Sequence, residues 1–284
     1  MTLTAGTPEW ITTTIEAFCA GEGNDMQAAQ PERAWGQPWV GFAAGDDPLW
    51  AQYKTVVGPF HWTPLEAWQQ TYPDEPVTPE ELTVISWILP QTEATKRDQR
   101  AQSVYPAERW ARTRVYGEQF NHQLRRDVAE ALTAAGFPAV APMELSTWHT
   151  VDSEQFVYAS TWSERHAAYA AGLGTFGLCD GLITPVGKAM RAGSAVVRLA
   201  VSPTPRPYTD HRAYCLFFTD GTCGACIDRC PVGAISASGH DKVKCAAHLD
   251  RTAAYVKASY GFEGYGCGLC QVGVPCESRI PPRA

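Results

Sequence analysis

Eight cysteines crowd the stretch from Cys215 to Cys276 of this 284-residue chain, while the first 214 residues hold only Cys19 and Cys179. So dense a set of thiols in 62 residues limits the second part of the chain to cross-linked, metal-bound or cluster-bound folds. The start of the chain has no basic segment followed by an apolar one and no twin arginine, so a cytoplasmic location is expected. In that compartment crowded thiols hold metal or carry electrons rather than form disulfides.

The spacing narrows the choice. Cys223-Gly-Ala-Cys226-Ile-Asp-Arg-Cys230-Pro231 is C-x2-C-x3-C-P, most of the bacterial ferredoxin run. The residue at the run's first position is Asp220. Cys215, five residues upstream, is taken as the fourth thiolate, with Asp220 as the alternative. A second group follows: Cys245, then Cys267-Gly-Leu-Cys270, then Cys276. In two-cluster ferredoxins the last cysteine of each run serves the other cluster. The expected sets are therefore Cys215, Cys223, Cys226 and Cys276 for one [4Fe–4S] cluster, and Cys230, Cys245, Cys267 and Cys270 for the other. Structural zinc is the alternative, because four-cysteine zinc sites also use C-x2-C pairs. Cys19 and Cys179 are expected as small buried hydrophobes.

The remainder reads as a mixed α and β chain with ample length for a core. Thr7-Pro8-Glu9 opens a helix, residues 22–62 look irregular, and Thr63-Pro-Leu-Glu66 and Thr78-Pro-Glu-Glu81 fit capping boxes. Leu82 to Leu89 is an apolar run of strand length. A long helix is predicted from about Pro106 to Ala135 with Gly136 as its cap, then a short strand at Ala139–Ala141, a helix from Ser163 to Gly172, and strands at 182–183 and 195–201. Three prolines in Ser202–Tyr208 suggest a linker, which divides the chain into residues 1–205 and 206–284. No apolar run is long enough for a membrane span, and a net charge of −7 disfavours a dedicated nucleic-acid binder. Gly172-Leu-Gly174-Thr-Phe-Gly177 matches G-x-G-x-x-G, but it follows a helix and lacks an acidic residue about 20 positions on. Its glycines are expected to stop a helix and allow close backbone approach.

Glu164-Arg165, Ala171-Gly172-Leu173-Gly174 with Gly177, Gly193-Ser194 before a strand, and the double cysteine motif together resemble the epoxyqueuosine reductases and the architecturally similar reductive dehalogenases. The resemblance covers roughly residues 80–280. Ser163-Glu-Arg-His166-Ala-Ala-Tyr-Ala-Ala-Gly-Leu-Gly-Thr-Phe-Gly177, with Tyr265-Gly-Cys-Gly-Leu-Cys270 and Val274-Pro-Cys276-Glu, resembles a short branch of iron–sulfur proteins. What the resemblance implies is an α+β chain: a nitroreductase-like, corrinoid-domain-like α/β domain followed by a ferredoxin-like domain with two [4Fe–4S] clusters. It implies an oxidoreductase in which the clusters feed base-off cobalamin, or less readily flavin, to reduce a small molecule. Glu164, Arg165, Gly172, Gly174 and Gly177 would lie at that cofactor, and Tyr158 would stand where the family keeps its proton donor. A low-potential electron donor of ferredoxin or flavodoxin type would be the partner. Three departures bear on this: Thr175-Phe-Gly177-Leu178 replaces the usual Trp-Ile-Gly-Lys, five residues rather than three separate Cys270 from Cys276, and the end at Ala284 leaves out a C-terminal helical-repeat extension. The last, with the acidic balance, sets an expectation against tRNA. The competing function is an electron-transfer or activator protein that serves a partner without its own corrinoid.

Overall fold

The computed structural model describes residues 3–153 and 156–283. Helix α1 (Pro8–Ala20) begins where Thr7 caps it and Pro8 occupies its first position. Strand β1 (Trp39–Ala44), helix α2 (Leu49–Val56) and helix α3 (Pro64–Gln69) follow, the last opened by the Thr63–Glu66 capping box. The second capping box, at Thr78, opens only a single 3-10 turn, Pro79–Glu81, because the apolar strand β2 (Leu82–Pro90) starts at once. Residues 22–62 are therefore not wholly irregular: they contain β1 and α2.

Helices α4 (Glu93–Arg100) and α5 (Glu108–Arg112) lead into a five-residue π turn, Thr113–Gly117, and then α6 (Glu118–Ala134). The predicted single helix over 106–135 is thus broken by a wide turn. Gly136 ends it with φ of +92°. Strand β3 (Ala139–Val140), the hairpin β4 (Thr150–Ser153) with β5 (Val157–Ser160), helix α7 (Glu164–Ala170), and the short pair β6 (Thr175–Phe176) and β7 (Leu182–Ile183) come next. Strand β8 (Met190–Arg198) starts five residues before the apolar stretch that announced it.

The main sheet has the order β1-β2-β8-β3, with every pair antiparallel. Eight of the nine residues of β2 are buried, because both of its faces are covered. Leu82, Val84 and Ile88 pack with Trp50, Trp68, Trp162 and the alanines of α7 on one side. Ile85, Trp87 and Leu89 pack with Ile11, Ile15, Leu124 and Val128 of α1 and α6 on the other. Two-sided cover turns what would be an alternating pattern into a continuous apolar run, and each such side chain is worth ~1.5–3 kcal/mol of burial.

Segment 202–210 has no regular structure, but it is held down: Thr204 accepts from the Phe42 amide at 2.9 Å and Tyr208 is buried. Beyond it come α8 (Leu216–Thr219), α9 (Ala225–Asp228), the two-residue strands β9 (Ile235–Ser236) and β10 (Gly239–His240), and α10 (Lys242–Tyr260), capped by Asp241. A 3-10 turn, Leu269–Gln271, carries the second cysteine pair. Among the described residues no helix is long and apolar enough to cross a membrane.

Candidate functional site

The cysteine loop is shaped by one helical turn. In α9 the amide of Ile227 donates to the Gly224 carbonyl, which winds Cys223 and Cys226 together. Cys215, Cys223, Cys226 and Cys276 line a common chamber with Leu178, Ile183 and Tyr214. This is the first expected set. Asp220 stands apart from that chamber and accepts from the amide and hydroxyl of its own neighbour Thr222 at 3.0 and 2.6 Å. The second set gathers around Cys267, whose thiol is pushed up to about 11 by burial, with Cys245 and Cys230 as its thiol neighbours. Cys270 is pushed well above the usual thiol range by contact with Cys179 and by burial. Among the described residues no three His, Cys, Asp or Glu side chains converge as on a single ion. A cubane is wider than an ion and its four thiolates stand apart around it. The donor chemistry, two sets of four thiols, suits two such clusters.

Rigid packing fixes the loops. Gly268, φ +63°, leaves no room for a Cβ, which would fall 2.0 Å from the Trp110 ring. Gln99 donates to the Cys267 carbonyl at 2.6 Å, and Arg229 reaches the carbonyls of Leu269 and Val272 at 3.4 and 3.2 Å. Arg229 follows the last residue of α9, so the two cysteine loops are tied to one another.

Cys179 is buried in an apolar cluster with Cys226, as expected, but it also has a polar partner. Lys188 donates to it at 3.3 Å. No spacing rule marks it in the sequence, because β6 and β7 bring it to the cysteines from 36 residues upstream of Cys215. Cys19 behaves as expected: it is buried in the α1 core and its thiol is pushed up to about 12 by burial.

Next to the chamber lies a polar cavity of about 550 Å³. Its wall comes from the π turn and α6 (Arg114, Glu118, His122, Arg125), α7 (Glu164, Arg165), β8 (Met190, Arg191, Ala192), Lys188 and Tyr265. The π turn aims Arg114 and Glu118 into this space, and its last carbonyl, Gly117, accepts from the Trp35 indole at 2.9 Å. Glu164 accepts from Arg125 at 2.9 Å and from the Ser194 hydroxyl at 2.5 Å, while Ser194 accepts from Trp162 at 2.9 Å. That network accounts for the Glu164 and Gly193-Ser194 pattern. A Cβ at Gly193 would meet the Trp87 ring at 2.4 Å. Burial lifts the Glu164 carboxyl above the ordinary range despite Arg125. Burial and the nearby Arg191 lower Arg114 to about 10. Arg114 lies 4.7 Å over the Tyr265 ring and donates to its hydroxyl.

The other expected residues fall in three places. Arg165 lines the cavity and donates to the Asp180 carbonyl at 2.5 Å. Gly177 lines the cysteine chamber. Gly172, φ +76°, stops α7 against the Pro205 carbonyl, and Gly174 packs on the Ile183 carbonyl, where a Cβ would sit 2.3 Å away. Both are close-approach glycines outside the cavity wall. Tyr158 is 50% exposed on the β4–β5 hairpin, with its carbonyl accepting from Lys242 at 3.2 Å. It is absent from the wall, where Tyr265 is the tyrosine present.

No family model matches the chain. Epoxyqueuosine reductase of Bacillus anthracis is 30% identical over 131 residues, 44% of this chain and 32% of that protein. That of Staphylococcus aureus is 31% identical over 127 residues, 43% and 31% respectively. The chain thus spans about a third of the length of these curated relatives. Among solved structures, an epoxyqueuosine reductase with a tRNA stem loop has a TM-score of 0.48 at 17% identity, covering 86% of this chain and 63% of that one. A catabolic reductive dehalogenase has a TM-score of 0.47 at 13% identity, covering 96% and 37%. At these scores the structural likeness carries no weight. Over 43–44% of its length the chain is thus similar in sequence to the epoxyqueuosine reductases, which are oxidoreductases.

Proposed function

We propose that this chain is an iron–sulfur oxidoreductase that passes single electrons through two [4Fe–4S] clusters to the polar cavity, where a small molecule is reduced. The observation that carries this reading is the adjacency of the thiol-lined chamber and the cavity, which share Lys188 as a wall. Cys215, Cys223, Cys226 and Cys276 would hold the cluster nearer the cavity. Cys230, Cys245, Cys267 and Cys270 would hold the outer one, which takes electrons from a ferredoxin- or flavodoxin-type donor. On this reading residues 1–205 form the substrate and cofactor domain and 206–284 the cluster domain.

The family's cobalamin suits the same cavity: Trp148 and Met190 offer apolar surface, and Arg114 and Arg191 offer donors to amide groups. When bound, that cofactor stores single electrons and delivers them in pairs. The chain's own residues fix the wall. Arg125, 1% exposed, holds Glu164 and Glu118 in place, and Trp162 stiffens Glu164 through Ser194.

Anaerobic purification with iron, zinc, cobalt and flavin counted per chain tests this. About eight irons and a brown colour bleached by dithionite are expected. Zinc in place of iron removes the redox reading. Full iron with no uptake of added cobalamin favours an electron-transfer protein that serves a partner.

A further inference from the structure

The cavity wall has an unbalanced charge. Arg114, Arg125, Arg165, Lys188 and Arg191 face Glu118 and Glu164, five cations against two carboxylates, in a chain of net charge −7. The carboxylates are already shared. Glu118 meets Arg191 at 3.1 Å, Arg125 at 3.4 Å and Arg114 at 3.7 Å, and Glu164 meets Arg125 at 2.9 Å. Glu144, behind the wall, is taken by Arg126 at 2.7 Å, and by His122 and Arg125. Among the described residues Arg165 donates to a backbone carbonyl and Lys188 to a thiol, and neither has a carboxylate within salt-bridge range.

Like charges gathered in a partly desolvated space repel unless an anion joins them. Guanidinium forks match the paired oxygens of carboxylates and phosphates. The volume lies in the range of small-molecule sites.

We infer that this cavity binds an oxyanion, a carboxylate or phosphate carried on a small molecule, held by Arg165 and Arg191. The inference deepens the proposed function and rests on the cavity being the reaction site. Two sources share this chemistry: the substrate's own acid group, or the phosphodiester in the nucleotide loop of a cobalamin.

Calorimetry on the anaerobically purified full chain, with iron counted in the same sample, tests it. Phenyl phosphate and benzoate are expected to bind, and the neutral benzamide at least about tenfold more weakly. Arg165→Gln and Arg191→Gln should each weaken anion binding about tenfold, with helix content and iron per chain unchanged. Arg165→Lys should recover part of the loss. Cobalamin and cobinamide, which lacks the phosphate, separate the sources. If the variants weaken cobalamin but not cobinamide, the anion is the cofactor's; if they weaken only the aryl anions, it is the substrate's. Equal binding of benzamide, anion binding untouched in both variants, or no anion binding at millimolar concentration overturns the inference. Full iron without anion binding sinks the oxyanion alone. Anion binding by a zinc-loaded chain sinks the iron–sulfur reading alone.

Discussion

The ammonium of Lys188 donates to the sulfur of Cys179 at 3.3 Å, and Lys188, 3% exposed, borders both the cysteine chamber and the polar cavity. A buried positive charge favours the reduced, more negative state of any cluster beside it. If the proposed clusters are present, Lys188→Met is therefore expected to lower their reduction potentials, since Lys188 neighbours Cys226 and Cys276 of one set and Cys270 of the other, and Lys188→Arg to keep the wild-type values. A potentiometric titration followed by electron paramagnetic resonance reads both. Identical potentials in the methionine variant would remove Lys188 from any electrostatic role.

On the proposed function, the fourth ligand of the first cluster is either Cys215 or Asp220. Cys215 lines the chamber, while Asp220 caps its own turn through Thr222. Cys215→Ala should lose about half of the iron, and Asp220→Ala should keep it. Iron counts per chain in the two variants give the answer, and the opposite pattern would hand the position to Asp220.

Arg125 is the keystone of the ion network behind the cavity. It is 1% exposed and bonded to Glu164, Glu118 and Glu144. Removing one partner from a buried pair leaves the other charge stranded. Arg125→Met should cost about 3–5 kcal/mol in urea unfolding. Adding Glu164→Gln should recover part of that loss, since it removes the stranded carboxylate. A double variant weaker than the sum of the singles would contradict this account.

His61 is fully buried, and neither ring nitrogen has a hydrogen-bond partner among the described residues. Burial lowers it to about 4. Between pH 6.5 and about 4 the unfolded chain binds a proton that the folded chain refuses. The contribution is therefore complete above pH 6.5 and declines as pH falls, by up to about 3 kcal/mol. His61→Phe should flatten stability across that window, as measured by urea midpoints at several pH values. An unchanged slope would show that His61 titrates normally.

The sequence carried β2, α1 and α6 openly, because apolar runs and capping residues are local signals. It hid β1. That strand contains Gly41, which is required because the Ala171 carbonyl sits 2.5 Å from where a Cβ would be, and a glycine in a short strand erases the pattern. It hid the start of β8, where Arg191 and Ser194 face a cavity and an ion network rather than a dry core. The cavity itself was illegible except at Glu164 and Arg165, since its wall is assembled from segments separated by up to about 150 residues. The contact of Cys179 with Lys188 was illegible for the same reason: its neighbours are set by topology.

The wide turn at Thr113–Gly117 has one more consequence. A π turn holds one residue more than the helix around it needs, so α5 and α6 are out of phase. Deleting a residue there would restore phase and rotate every upstream side chain by about 100°. Arg114 would swing away from Tyr265 while the sequence of the wall stayed the same. The charge this cavity presents is thus encoded partly as a length, and an insertion or deletion at one turn could retune it where no substitution is made.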